Sequence, residues 1–81
     1  MTKLLSKMAI GEKGRVVKVN GEGAIRRRLF DMGVTPGADI YFRKKAPLGD
    51  PIEITLRGYE LTLRNAEASY VEVEIRSDRR S

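Results

Sequence analysis

The sequence predicts a mainly β fold: a small barrel of about five strands with one short helix and a further helical turn. Three observations carry this. Apolar and polar residues alternate with period two in several short runs. Glycine and proline punctuate the chain at short intervals, leaving no room for long elements. One stretch breaks the alternation and repeats its apolar residues at helical spacing: Ile25, Leu29 and Met32. Five short strands would leave exposed edges in an open sheet, so closure into a barrel is the expected arrangement.

Taken in order, Leu4, Leu5, Met8 and Ile10 are apolar anchors of a short opening segment. Gly11-Glu12-Lys13-Gly14 is a turn. Residues 15–20 form the first strand, with Val17 and Val19 on one face and Val16 on the other. Gly21-Glu22-Gly23 breaks it, and a helix follows over residues 24–32. Asn20 lies too early to cap that helix, so packing of its apolar stripe has to stabilise it. Gly33 falls where a helix stop needs positive φ, which costs a residue with a Cβ but not glycine. Val34 is placed to fold back on the last helical turn. Pro36-Gly37 fits the two central positions of a type II turn. Residues 38–45 are the second strand.

Ala46-Pro47-Leu48-Gly49-Asp50-Pro51 is a rigid loop that leaves Leu48 exposed. Residues 52–56 and 59–63 alternate cleanly and make a hairpin across Arg57-Gly58. Residues 65–68 read as one helical turn capped by Asn65, and 71–75 as the last strand. The folded domain is expected over residues 1–75. Residues 76–81 are expected to be a disordered tail.

Composition narrows the chemistry. The chain has 81 residues, no cysteine and no histidine. That removes thiol nucleophiles, disulfides, thiolate zinc sites and the commonest general base. Any metal would have to be held by carboxylates and carbonyls, so no metal site, cofactor or catalytic residue is expected. Ser6, Ser69, Ser77 and Ser81 have no histidine to activate them. Gly21-Glu22-Gly23 begins like a dinucleotide fingerprint, but it lacks the third glycine and Glu22 would repel a phosphate. Glu72 and Glu74 lie on one strand face, which is the pattern of a solvated outer surface. The chain has no apolar run of membrane-spanning length and no secretory leader, so a cytoplasmic protein is expected.

The formal net charge is +5, with part of the excess in Arg76, Arg79 and Arg80 against Asp78. Arg26-Arg27-Arg28 is the sharpest charged feature. Successive helical residues fan around the cylinder, so these three do not form one patch. Their ordinary role is a solvated face with stems on the core; their functional roles would be an acidic protein partner or phosphate contact. Arg43, Lys44 and Lys45 form a second basic segment. With Phe30 and Tyr41 it makes a sparse version of a single-stranded nucleic-acid platform.

The residues Leu29-x-x-Met32-Gly33-Val34-x-Pro36-Gly37, then Pro47-Leu48-Gly49-Asp50-Pro51-Ile52, then Leu61-x-Leu63-Arg64 with Glu67-Ala68, resemble the FeoA family. The resemblance covers about residues 4–75. It implies an SH3-like barrel and a small cytoplasmic accessory protein of bacterial ferrous-iron uptake. The implied partner is the membrane ferrous-iron permease, through its GTP-binding cytoplasmic domain. The same domain also occurs at the carboxyl end of metal-responsive repressors, and relation to that domain is an alternative, as is a small basic barrel that binds nucleic acid. The partner-binding residues implied are Leu29, Met32, Gly33, Pro36, Gly37, Pro47, Leu48, Gly49, Asp50 and Pro51. Arg26, Arg27 and Arg28 join them by clustering.

Overall fold

A computed structural model of the chain describes residues 1–76. The elements are β1 (Thr2–Leu4), a 3-10 turn (Leu5–Lys7), β2 (Lys13–Val19), α1 (Gly23–Asp31), β3 (Asp39–Lys45), β4 (Ile52–Leu56), β5 (Tyr59–Leu63), α2 (Asn65–Ala68) and β6 (Val71–Arg76). The strands form one antiparallel sheet in the order β1-β6-β2-β3-β4-β5.

Six strands replace the five expected. The additional one, β1, is three residues long and pairs Thr2 with Glu74 and Leu4 with Glu72. Three residues are too few for alternation to be read in sequence. The sheet is not closed by pairing: among the described residues its end strands are β1 and β5. It curves instead around one core, to which every strand from β2 to β6 contributes, together with Leu29 of α1 and Ala68 of α2. Register shifts in β2 between Val16 and Lys18, and in β3 between Phe42 and Lys44, supply local bending.

The β2 bulge also corrects the facing of the valines. One extra residue flips the alternation, so Val16 and Val19 are both buried and Val17 points to solvent. Leu5 and Met8 are buried as anchors, but Ile10 is 62% exposed. It sits in a turn held to β3 by the bond from Gly11 N–H to Phe42 O, which fixes backbone and leaves the side chain outside.

The helix stop forms as its residues require. Gly33 has φ +93°. Gly33 N–H donates to Phe30 O and Val34 N–H to Leu29 O, both at 2.9 Å, the paired bonds of a Schellman motif. Val34 is fully buried. Gly37 has φ +95° and Ala38 N–H donates to Thr35 O, closing the expected turn. The β4–β5 turn places both Arg57 and Gly58 at positive φ, the type I′ geometry that matches the twist of a tight hairpin.

Asn65 is not the cap of α2. It is the first helical residue, Arg64 precedes it in extended conformation, and Arg64 N–H donates to Glu67 Oε1 at 3.0 Å. The last strand runs through Arg76, which pairs with Lys13 and lies 3.6 Å from Asp39 Oδ1, one residue beyond the expected boundary. The rest of the expected tail lies outside the described residues.

Candidate partner-binding site

Helix α1 is uncapped by any side chain at its start, where Glu22 is the N-cap residue. Its first turn is secured from outside, by Arg26 Nε donating to Val19 O at 3.3 Å. The Arg26 guanidinium also lies 4.5 Å from the centre of the Phe30 ring, a cation–π contact within the helix. Arg28 points another way. Its Nε lies 3.2 Å from Glu67 Oε2 of α2, and Glu67 is buried to 8% exposure with its other oxygen on Arg64 N–H. Arg27 makes no hydrogen bond or ion pair among the described residues. The three arginines therefore face different neighbours, as helical spacing requires.

The far end of α1 is tied to the β4–β5 turn. The Tyr59 hydroxyl donates to Met32 O at 2.6 Å, and Arg57 Nη2 donates to Thr35 Oγ1 at 2.9 Å. An ideal Cβ on Gly33 would lie 2.5 Å from the Tyr59 oxygen. Gly33 is thus required twice, by its φ and by this close approach. Pro36 and Gly37 are exposed on the surface that follows.

The 47–51 loop closes on itself through Gly49 N–H to Ala46 O at 2.7 Å and Ala46 N–H to Pro51 O at 3.0 Å. Its Asp50–Pro51 peptide is cis. Asp50 Oδ1 accepts Asn65 N–H at 2.8 Å, satisfying one of the free donors at the start of α2. Leu48 projects from the tip and is 95% exposed, the most exposed large apolar side chain described.

These placements divide the residues singled out in sequence. Arg28, Asp50 and Pro51 come together around a depression of about 340 Å³ shared with Arg64 and Glu67. Arg26 and Arg27 line another with Gly23 and Phe30. Met32, Gly33, Pro36 and Gly37 sit by the β4–β5 turn. Leu29 is fully buried, and Met32 packs partly against the core. These residues of the helix stripe are therefore spent on the protein's own interior, and they do not join Leu48 in an exposed apolar surface.

Sequence reasoning missed the roles of Tyr59, Arg57 and Thr35. Tyr59 reads as an ordinary alternating residue, because a bond between a side chain and distant backbone leaves no periodic trace. Glu67 stands in the family pattern, but the pattern does not show its pairing with Arg28. Two cations of the second basic segment stand beside carboxylates: Arg43 pairs with Glu60 and Lys44 lies 4.0 Å from Glu53, while Lys45 sits over the Phe42 ring and keeps its charge. That leaves less unpaired charge than a nucleic-acid platform needs. Among the described residues no group of three or more acidic side chains is placed to hold a metal ion, and no helix is long and apolar enough to cross a membrane.

The FeoA domain model matches residues 3–75. The chain belongs to the FeoA family. Members of this family are non-enzymatic accessory proteins, which fits a sequence without histidine or cysteine. The FeoA-like protein of Clostridium acetobutylicum has a solved structure with TM-score 0.89 and 39% identity, covering 99% of this chain and 93% of that one. The zinc-complexed FeoA of Stenotrophomonas maltophilia, described as a prokaryotic SH3-domain protein, gives TM-score 0.75 and 29% identity over 91% of this chain and 89% of that one. The FeoA-family fold seen here is SH3-like in the same sense. A third relative, from Porphyromonas gingivalis, is a fusion of Fe(2+) transport protein A with the Fe(2+) transporter FeoB, 36% identical over 71 residues. Those residues are 88% of this chain and 8% of the fusion protein, so the chain spans a small part of that relative's length.

Proposed function

We propose that this FeoA-family chain is a cytoplasmic accessory protein of ferrous-iron transport that docks on the GTP-binding cytoplasmic domain of a membrane ferrous-iron permease. The observation that carries the reading is the fusion relative, in which the matching segment and an Fe(2+) transporter share one polypeptide. A domain that is joined covalently to a transporter in one protein is a natural binding partner of the separate transporter in another.

The docking surface in this reading is the 47–51 loop with the Arg28 flank of α1. Leu48 is the apolar anchor. It is held out by a loop tied at Ala46, Pro51 and Asn65, so little ordering is needed when a partner pocket covers it. Arg28, paired with Glu67, borders it beside Asp50 and Pro51, and Pro36 and Gly37 form a separate exposed edge. Leu29 and Gly33 act indirectly, by holding α1 in place.

The test is calorimetric titration of the chain against the isolated cytoplasmic domain of the permease, nucleotide-free, with GDP and with a GTP analogue. Saturable binding in at least one state supports the reading. Absence of binding in all three contradicts it.

A further inference from the structure

A second surface lies at the other end of β3 from the Leu48 loop. Where β2, β3 and β4 meet, a groove of about 480 Å³ is lined by Lys13, Asp39, Tyr41, Arg57 and Arg76. The cross-strand register builds it: Lys13 stands opposite both Tyr41 and Arg76, and Arg15 opposite Asp39. Among the described residues Asp39 is the one carboxylate that lines the groove, and it serves two guanidiniums. Arg15 Nε lies 3.3 Å and Arg76 Nη1 3.6 Å from the same Oδ1. Among the described residues the Arg57 side chain bonds only a hydroxyl, that of Thr35. Among the described residues Arg57 and Arg76 line the groove and Arg15 stands at its edge beside Asp39, so guanidiniums outnumber carboxylates there, and Arg15, Asp39 and Arg76 are all more than half exposed.

We infer that this groove binds a short acidic segment of a protein partner, its carboxylates taking the guanidinium donors of Arg57, Arg15 and Arg76 and its backbone lying along the exposed ring of Tyr41. Carboxylates fit because guanidinium forks donate to them in paired, charge-assisted bonds. The segment has to be short because acids bound the groove on both sides. Glu74 stands opposite Arg15 on β6, and Glu60 stands opposite Thr55 on β5. Both are already ion-paired, Glu74 with the Met1 ammonium and Glu60 with Arg43, and Tyr41 is a lone stacking ring rather than the row that a nucleic-acid strand needs. This surface is distinct from the Leu48 loop, and the inference does not rest on the permease being the partner.

The test is an amide NMR titration of the full chain with a short capped peptide of aspartate and glutamate, at low and high salt. Inorganic phosphate and a single-stranded oligonucleotide are run as competitors. The expected result is saturable shifts confined to the amides around Lys13, Tyr41, Thr55 and Arg57, weakened by salt. Arg57→Asn keeps a residue tolerant of positive φ and removes the charge, and Arg15→Gln spares the turn altogether. Each should weaken peptide binding by about tenfold, with spectra otherwise unchanged. Shifts that are absent, that fall elsewhere, or that survive Arg15→Gln undiminished overturn the inference. So does displacement of the peptide by phosphate or oligonucleotide at lower concentration than the peptide itself requires.

Discussion

Replacing Gly33 with alanine should do more damage than a surface glycine change, and the structure says how the damage divides. Gly33 has φ +93°, where a residue with a Cβ is penalised by about 1–2 kcal/mol. The new Cβ would also stand 2.5 Å from the Tyr59 oxygen, too close for both to stay. If the ring moves, the 2.6 Å bond to Met32 O is lost, at about 1 kcal/mol for an exposed hydrogen bond. Gly33→Ala should therefore cost about 2–3 kcal/mol, and Tyr59→Phe alone about 1 kcal/mol. The two costs share the same bond. In the double variant the clashing oxygen is absent, so only the φ penalty is added to the lost bond. The double should be less damaging than the sum of the singles by about 1 kcal/mol. Urea unfolding of the four proteins measures this cycle. Additivity within about 0.3 kcal/mol, or a Gly33→Ala cost below about 0.5 kcal/mol, would refute the claim that the helix stop and the β4–β5 hairpin are coupled through this contact.

Acid stability supplies a second prediction. The Glu12 carboxyl is held below its ordinary value by the bond from Ala9 N–H and by the Lys3 ammonium. Its contribution is present above the unfolded carboxylate value, about pH 4.3, and is lost as pH falls through the lower folded value. Glu12→Gln should be less stable than the parent at neutral pH, and unfolding curves recorded at descending pH should converge below about pH 4. A third concerns the arginines. An arginine inserted into a partner's phosphate site can raise hydrolysis by about 10³ to 10⁵-fold. Arg26 is held by Val19 O and the Phe30 ring and Arg28 by Glu67, on a packed helix rather than a reaching loop. Single alanine replacements at Arg26, Arg27 and Arg28 should leave the GTP hydrolysis rate of the saturated complex within a few-fold. A drop of about 10³-fold in any one of them, close to 4 kcal/mol, would make the protein a catalytic partner.

The parts of the fold that were legible in sequence are those specified locally. Pro36 fixes its own φ, Gly33 and Gly37 tolerate the positive φ that their turns require, and those turns form where they stand. Residues 52–56 and 59–63 alternate without interruption, and their hairpin is observed with the Arg57-Gly58 turn. What escaped depends on distant partners. β1 exists because β6 offers it an edge. Val17 faces solvent because a bulge intervenes. Asn65 yields its expected cap role because Asp50, fifteen positions away, reaches the same backbone. The candidate site was half legible for the same reason. Leu48 is exposed as its rigid loop dictates. Leu29 carries the family pattern but is core, and a motif does not say whether a residue touches a partner or supports one that does.

The central claim is that the chain works by docking on a permease domain through the Leu48 loop. Leu48 makes no contribution to the core, so Leu48→Asp should leave unfolding unchanged within about 0.5 kcal/mol. Covering a leucine in a partner pocket contributes about 1.5–3 kcal/mol, so the same change should weaken binding by about 10- to 100-fold. Calorimetric titration of the parent and of Leu48→Asp against the permease cytoplasmic domain reads this directly. Saturable binding by the parent, with that loss in the variant, is the result predicted. Equal binding by both, or none by the parent in any nucleotide state, would contradict the claim.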